Sequence, residues 1–236
     1  MSDMYDRKVS ITVSKNGPYL VNGELPIAMQ TITSNKEGSS WEWTEGEHFK
    51  GGAKCALCRC GASSSKPFCD GTHAKIRFNG TETADRGSYE NRAKTMTGEA
   101  LILKDDESLC AAARFCDSHG SVWNQIELED SSELHVLLEH EVGHCPSGRL
   151  VLIDKRNGEA IEPKLPQSIG LVEDPVEECS GPLWVRGGVE VIAADGKVYE
   201  VRNRVTLCRC GVSQNKPFCD GSHASAKFDD GLQGKR

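Results

Sequence analysis

Short apolar runs punctuated by Gly, Pro and Asn fill both ends of the chain, while patterns with a helical period are confined to its middle. LVLID and EAI flank Asn157-Gly158, and VEVIA and KVYEV flank Asp195-Gly196. Both arrangements predict β-hairpins, because Asn-Gly and Asp-Gly accept the positive φ that tight hairpin turns need. In the middle, the runs 107–116 and 131–140 predict helices, each with Ser or Asp placed to cap its start. Pro and Gly punctuation from Pro163 to Pro182 reads as a linker or an irregular return segment. The class implied is α+β. No apolar run approaches the roughly 18 residues that cross a bilayer. The start MSDMYDRKVS has neither a signal-peptide core nor an Arg-rich presequence, so a cytoplasmic chain with no membrane partner is expected.

The chain also repeats itself. CRCGASSSKPFCDGTH at 58–73 and CRCGVSQNKPFCDGSH at 208–223 agree at 12 of 16 positions with a constant offset of 150. The match continues through Leu57 and Leu207, Ala74 and Ala224, and Phe78 and Phe228. Upstream, GPYLVNGELPI from Gly17 resembles GPLWVRGGVEV from Gly181, now offset by 164. The first copy therefore carries 14 additional residues before its cysteines, an insertion expected in the Ser-, Gly- and Glu-rich stretch 35–46. The repeat divides the 236 residues into three segments: 1–87, 88–170 and 171–236.

Charge excludes some partners and cysteine content suggests others. A net charge of -7 argues against electrostatic capture of nucleic acid or anionic lipid. The 11 cysteines are odd in number and mostly clustered at short spacings, a pattern that in a reducing compartment points to metal binding rather than disulfides. Each copy offers Cys-x-Cys-x8-Cys-x3-His, namely Cys58, Cys60, Cys69 and His73, then Cys208, Cys210, Cys219 and His223. Three thiolates and an imidazole make a complete four-ligand set. Gly61 and Gly211 permit the bend that turns both thiols of the Cys-x-Cys pair toward one centre. Asp70-Gly71 and Asp220-Gly221 can open a short helix whose i, i+4 spacing sets Cys69 beside His73 and Cys219 beside His223. An anionic cluster would gain from the free N–H groups at that helix start. On the residues alone, structural zinc and an iron-sulfur cluster both remain open, although zinc knuckles usually space their first pair as Cys-x2-Cys or wider.

Both copies resemble the CDGSH iron-sulfur domain of the mitoNEET family, whose pattern Cys-x-Cys-x2-Ser/Thr-x3-Pro-x-Cys-Asp-Gly-Ser/Ala/Thr-His is met twice, Ser63 and Ser213 included. The resemblance implies a 2Fe-2S cluster in each copy, with the Cys-x-Cys pair on an inner iron and the third Cys with His on an outer iron. It further implies two strand-rich units paired about an internal two-fold axis, an intramolecular pseudo-dimer within a monomer. The family's membrane anchor has no counterpart, and tandem prokaryotic-type members are the nearer match. The function implied is one-electron transfer or 2Fe-2S cluster transfer, with a redox partner or an apo iron-sulfur acceptor protein on the other side. No nucleophile or substrate pocket suggests a catalytic reaction.

The middle segment has its own cysteines. Cys110, Cys116 and Cys145-Pro146 resemble a divergent mono-cluster ferredoxin, with strands expected at 98–104 and 149–154 on the edges of this insert. A third iron-sulfur cluster on these thiols, or a decayed unit whose small residues only pack, are the alternatives. HEVGH at 140–144 matches the HExxH pattern of zinc peptidases, but Gly143 and Pro146 argue against the sustained helix that such chemistry requires. Cys55, aligned with Val205, reads as an apolar filler, and Cys179 as a linker residue. The tryptophans read as packing residues, and His48, His119 and His135 as surface or capping residues. Lys66 and Lys216 recur beside the ligand sets and read as solvated or partner-steering.

Overall fold

The computed structural model describes residues 9–128 and 131–232; the opening segment read above for export signals lies outside them. The first segment contributes β1 (Ser10–Val13), β2 (Tyr19–Asn22), β3 (Ile27–Ser34), β4 (Ser40–Phe49), β5 (Lys54–Leu57) and α1 (Thr72–Lys75). The middle contributes α2 (Tyr89–Arg92), β6 (Lys94–Thr97), β7 (Leu101–Asp105), α3 (Val122–Glu127), α4 (Ser132–Gly143), β8 (Leu150–Asp154) and β9 (Ala160–Ile161). The rest is β10 (Ser168–Asp174), β11 (Cys179–Arg186), β12 (Glu190–Ile192), β13 (Arg204–Leu207) and α5 (Ser222–Ser225).

Three sheets result, in the orders β12-β1-β2-β5, β13-β11-β10-β3-β4 and β6-β7-β8-β9. The first two follow one plan. Tyr19 faces Leu57 across β2 and β5, and Leu183 faces Leu207 across β11 and β13, which is the register of the sequence repeat. β12 joins the first sheet parallel to β1, with Ile11 opposite Val191, and β3 joins the second parallel to β10, with Ile169 opposite Ile27. The first and third segments thus exchange strands. The two sheets close on one apolar core in which Ile11, Tyr19, Ile27 and Leu57 meet Ile169, Leu183, Val191 and Leu207. Burying each such side chain contributes roughly 1.5–3 kcal/mol relative to exposure.

Several expectations are corrected. The stretch from Pro163 to Pro182 is no linker: β10 and β11 lie side by side in the second sheet, with every residue of β10 buried. Cys179 accordingly opens β11 and is buried. The stretch 35–46, expected to hold the extra residues of the first copy, forms the turn of a β3–β4 hairpin and most of β4. Around Asp195-Gly196 the turn forms, with Gly196 at φ 85, but the second arm makes only an isolated bridge from Val198 to Ile192, and β12 pairs instead with β1. The hairpin at Asn157-Gly158 forms as expected, pairing Leu152 with Ile161 and Ile153 with Ala160.

In the middle, β7 and β8 are inner strands of their sheet rather than its edges. α4 forms with Ser131 as its cap, the Ser131 hydroxyl accepting from the Leu134 amide, and runs three residues past His140. The helix expected over 107–116 does not form. Two 3-10 turns, Glu107–Leu109 and Phe115–Asp117, bracket a loop in which Ala112 and Arg114 take positive φ. That conformation is incompatible with a right-handed helix. A separate core holds this layer, with Leu103, Val122, Ile126, Leu138 and Leu152 buried together. Trp43 of β4 packs between Phe115 and Trp184, joining the inserted hairpin to the middle and to β11.

Candidate metal centres

Each repeated motif closes through the same local contacts. Leu57 bridges to Phe68 and Leu207 to Phe218, which folds the third cysteine back beside the first two. The Ser63 hydroxyl donates to the Phe68 carbonyl at 2.6 Å and accepts the Ser65 amide at 3.1 Å; Ser213 repeats this with Phe218 and Asn215. Asp70 braces the loop from the other end, accepting the Ser64 amide and hydroxyl on one oxygen and the Thr72 amide on the other. The Ser64 amide and hydroxyl hold its carboxyl well below the usual carboxylate range. Asp220 does the same for Gln214 and Ser222.

The proposed ligands come together in pairs. Cys58 and Cys60 sulfurs lie 3.9 Å apart, and the Cys69 sulfur lies 3.3 Å from His73 Nδ1. The second motif gives 3.6 Å for Cys208 and Cys210 and 3.4 Å for Cys219 and His223. Among the described residues, no three of these ligand atoms lie mutually within 4.8 Å. Around one tetrahedral zinc, with Zn–S of roughly 2.3 Å, all four donors would sit about 3.8 Å or less apart. Two close pairs held apart suit a binuclear centre with one pair per iron.

The electrostatics fit an anionic cluster. Gly71 and Gly221 amides donate to the Cys69 and Cys219 sulfurs, each at 3.4 Å. The Cys210 thiol, aided by the Ser213 and Gly211 amides, lowers Cys208 to about 6. Burial pushes Cys219 well up, so a thiolate there needs a cation beside it. Sequence reasoning passed over the residue inside each Cys-x-Cys pair. Arg59 and Arg209 are both buried behind their loops. Arg59 donates to the carbonyls of Gly80 and Ser14, whereas Arg209 donates to the Gly181 and Val172 carbonyls and pairs with Glu173 and Asp230. Their recurrence at one position in both copies was the available signal. Lys66 and Lys216 are half-buried, and each ammonium donates to a carbonyl of its own loop, Ser63 or Ser213.

The two motifs meet back to back. A Cβ on Gly61 would stand 2.5 Å from the Cys210 carbonyl oxygen, and one on Gly211 2.7 Å from that of Cys60. Both glycines have positive φ, so the bend and the close approach each require glycine. Their surroundings differ. His73 is half-buried, while His223 is 4% exposed and is pushed down to about 4 by burial and by Arg209. Tyr19 reaches from β2 to donate toward the Cys208 and Pro217 carbonyls, and Thr83 toward that of Gln214, so the first segment wraps the second motif.

Cys110, Cys116 and the more distant Cys145 line one small cavity of about 30 Å³ with Ala111, Ala112, Pro146 and Arg149. Burial, then the neighbouring thiols, pushes Cys116 up to about 12. Arg149 is fixed by two bonds to Asp105, at 2.7 and 2.9 Å, and supplies positive charge beside the thiols. The Ala112 loop lies on the second motif, 3.2 Å from where a Cβ on Gly221 would be. Arg204 of β13 ties the same region down from below, donating to the carbonyls of Val142, Gly143 and Cys145.

HEVGH ends α4 as the sequence suggested, with His144 as its C-cap, yet the helix persists long enough to set His140 and His144 on one face. Burial and the adjacent His144 lower His140. The peptidase reading fails at Glu141: its side chain is fully buried and accepts the His119 amide, so it faces away from any ion on the two histidines. His48 sits beside Glu45 on exposed β4, and Cys55 is half-buried against the shared core.

Residues 16–74 and 180–224 match the family model described as an iron-binding zinc finger of CDGSH type, and residues 96–155 match that of a divergent 4Fe-4S mono-cluster. No curated protein and no solved structure matches the chain. Two CDGSH segments with paired Cys3His sets, separated by a segment that gathers three thiols, make this chain a tandem CDGSH iron-sulfur protein with a divergent 4Fe-4S-like middle.

Proposed function

We propose that the protein is a one-electron carrier with a 2Fe-2S centre in each CDGSH motif and a third, cuboidal centre on Cys110, Cys116 and Cys145. The observation that carries this reading is the grouping of each Cys3His set into two close donor pairs. Such centres, once bound, accept and release single electrons with little change in ligand geometry. The chain's own residues supply the rest. Gly61 and Gly211 bring the two motifs into contact, and the Ala112 loop abuts Gly221, so a middle centre would adjoin the second motif and the second motif the first, where His73 is half-buried. The reciprocal exchange of β3 and β12 supports an intramolecular pseudo-dimer as its scaffold. The partner would be a redox protein docking at the first motif, where His73 is the more exposed histidine.

Delivery of a 2Fe-2S cluster to an apo acceptor is the second reading, favoured by the accessibility of His73. Stopped-flow mixing of the reduced holoprotein with a one-electron acceptor, and separately with an apo 2Fe-2S protein, tests both. The carrier reading predicts reoxidation with the visible cluster bands retained in this chain. Movement of those bands to the acceptor protein without reoxidation would establish cluster delivery instead.

A further inference from the structure

The inserted hairpin meets the end of α4 at a group of side chains that the iron-sulfur reading does not use. Glu42 on β4 and His140 and His144 on α4 bring one ligand atom each within 4.8 Å of the others, the one such triad among the described residues. The imidazoles are oriented by backbone. His140 Nε2 lies 2.9 Å from the Trp41 carbonyl, and His144 Nδ1 lies 2.7 Å from the His140 carbonyl. A carbonyl only accepts, so each of those nitrogens carries a proton, and the ring's other nitrogen is the one available to a metal. His144 Nε2 faces the Glu42 carboxylate at 3.3 Å. Trp41 stacks on His140 at 3.8 Å and fixes that ring.

Donation of one ring N–H to a backbone carbonyl, with the other nitrogen aimed at a shared point, is how metal-ligating histidines are held. We propose that Glu42, His140 and His144 form a site for one divalent transition-metal ion of the Zn2+ class, separate from the cysteine centres. Two imidazoles and a carboxylate are a borderline donor set that suits Zn2+ and leaves a coordination position open on the exposed side of Glu42. Typical Zn–N and Zn–O lengths of roughly 2.0–2.2 Å require only side-chain adjustment from the present spacing. With Glu141 buried against His119, the site binds an ion without a hydrolytic base. The bound ion would staple the inserted hairpin to the turn that precedes Cys145.

The test is calorimetric titration of Zn2+ into the reconstituted holoprotein, with iron and sulfide counted before and after. One Zn2+ per chain should bind with no loss of iron. Glu42→Gln, an exposed change on β4, should weaken binding at least tenfold, and His144→Ala should abolish it, with the visible spectrum unchanged in both. Equal binding by wild type and Glu42→Gln, binding only at the expense of iron, or no binding would each overturn the proposal. In the last case, if both substitutions still lowered the melting temperature, a protonated His144–Glu42 ion pair would account for the geometry.

Discussion

At the residue scale the two CDGSH motifs share their ligands and differ in what surrounds them. Behind the second, Arg209 is matched by Asp230 and by Glu173, whose carboxyl burial raises to about 7. Behind the first, Arg59 donates to two carbonyls and lies over the Tyr19 and Phe78 rings, with no carboxylate paired to it among the described residues. An added electron is favoured by nearby positive charge, and by solvent near His73. Reductive titration should therefore resolve two CDGSH potentials, the first motif's higher by on the order of 60 mV, a tenfold shift for one electron. Glu173→Gln should raise the lower potential and leave the higher one in place; a single shared potential would contradict the assignment.

Acid should separate the same two sites. His223 has its pKa lowered from 6.5 to about 4. Between those values the unfolded chain takes up a proton that the folded chain refuses. The stability this histidine contributes is therefore complete above about 6.5 and is lost as pH falls toward about 4. Above about 4 the buried imidazole stays neutral and able to ligate, whereas half-buried His73 leaves its ligand set more accessible to solvent. Bleaching at roughly pH 5 should be biphasic, the fast phase about tenfold quicker. His73→Cys should remove the fast phase, and His223→Cys should leave it. Monophasic bleaching unaffected by either change would show that these histidines are not ligands.

At the element scale, α4 and the turn after it depend on β13. Arg204 is buried and satisfies the carbonyls of Val142, Gly143 and Cys145, placing a cation where a helix terminus favours one. Arg204→Lys cannot reproduce the fork and should cost on the order of 2–4 kcal/mol, with disorder at Cys145. Ser131→Ala, at the other end of the helix, should cost about 1 kcal/mol. Thermal unfolding of both variants checks the ranking. The sequence announced Ser131 because a cap is local. Arg204 was silent: charged residues are ordinarily exposed, and its partners are some 60 positions away. β10 and β11 were misread for a related reason, since strands buried on both faces lose the alternation that marks a strand. The Cys110–Cys116 loop read as helix because its composition allows one; only packing against Gly221 makes left-handed Ala112 tolerable.

At the scale of the molecule, the candidate ligand sets were legible because each motif is contiguous and occurs twice. The exchange of β3 and β12 was not, because strand pairing across 142 and 180 positions leaves no trace in local periodicity. Its consequence is functional: reciprocal pairing sets Gly61 against Cys210 and turns two sequence repeats into adjoining sites. The gathering of Cys110, Cys116 and Cys145 likewise depends on β7, β8 and the loop between them closing one cavity. The measurement that tests the whole account most directly is iron, zinc and acid-labile sulfide per chain in anaerobically purified protein, taken for the wild type and for Cys110, Cys116 and Cys145 all replaced by Ser. The account predicts about seven or eight irons with similar sulfide in the wild type, falling to about four of each in the triple variant. Stoichiometric zinc in the Cys3His sets without sulfide would contradict it at its centre, and about four irons in both proteins would remove the middle cluster.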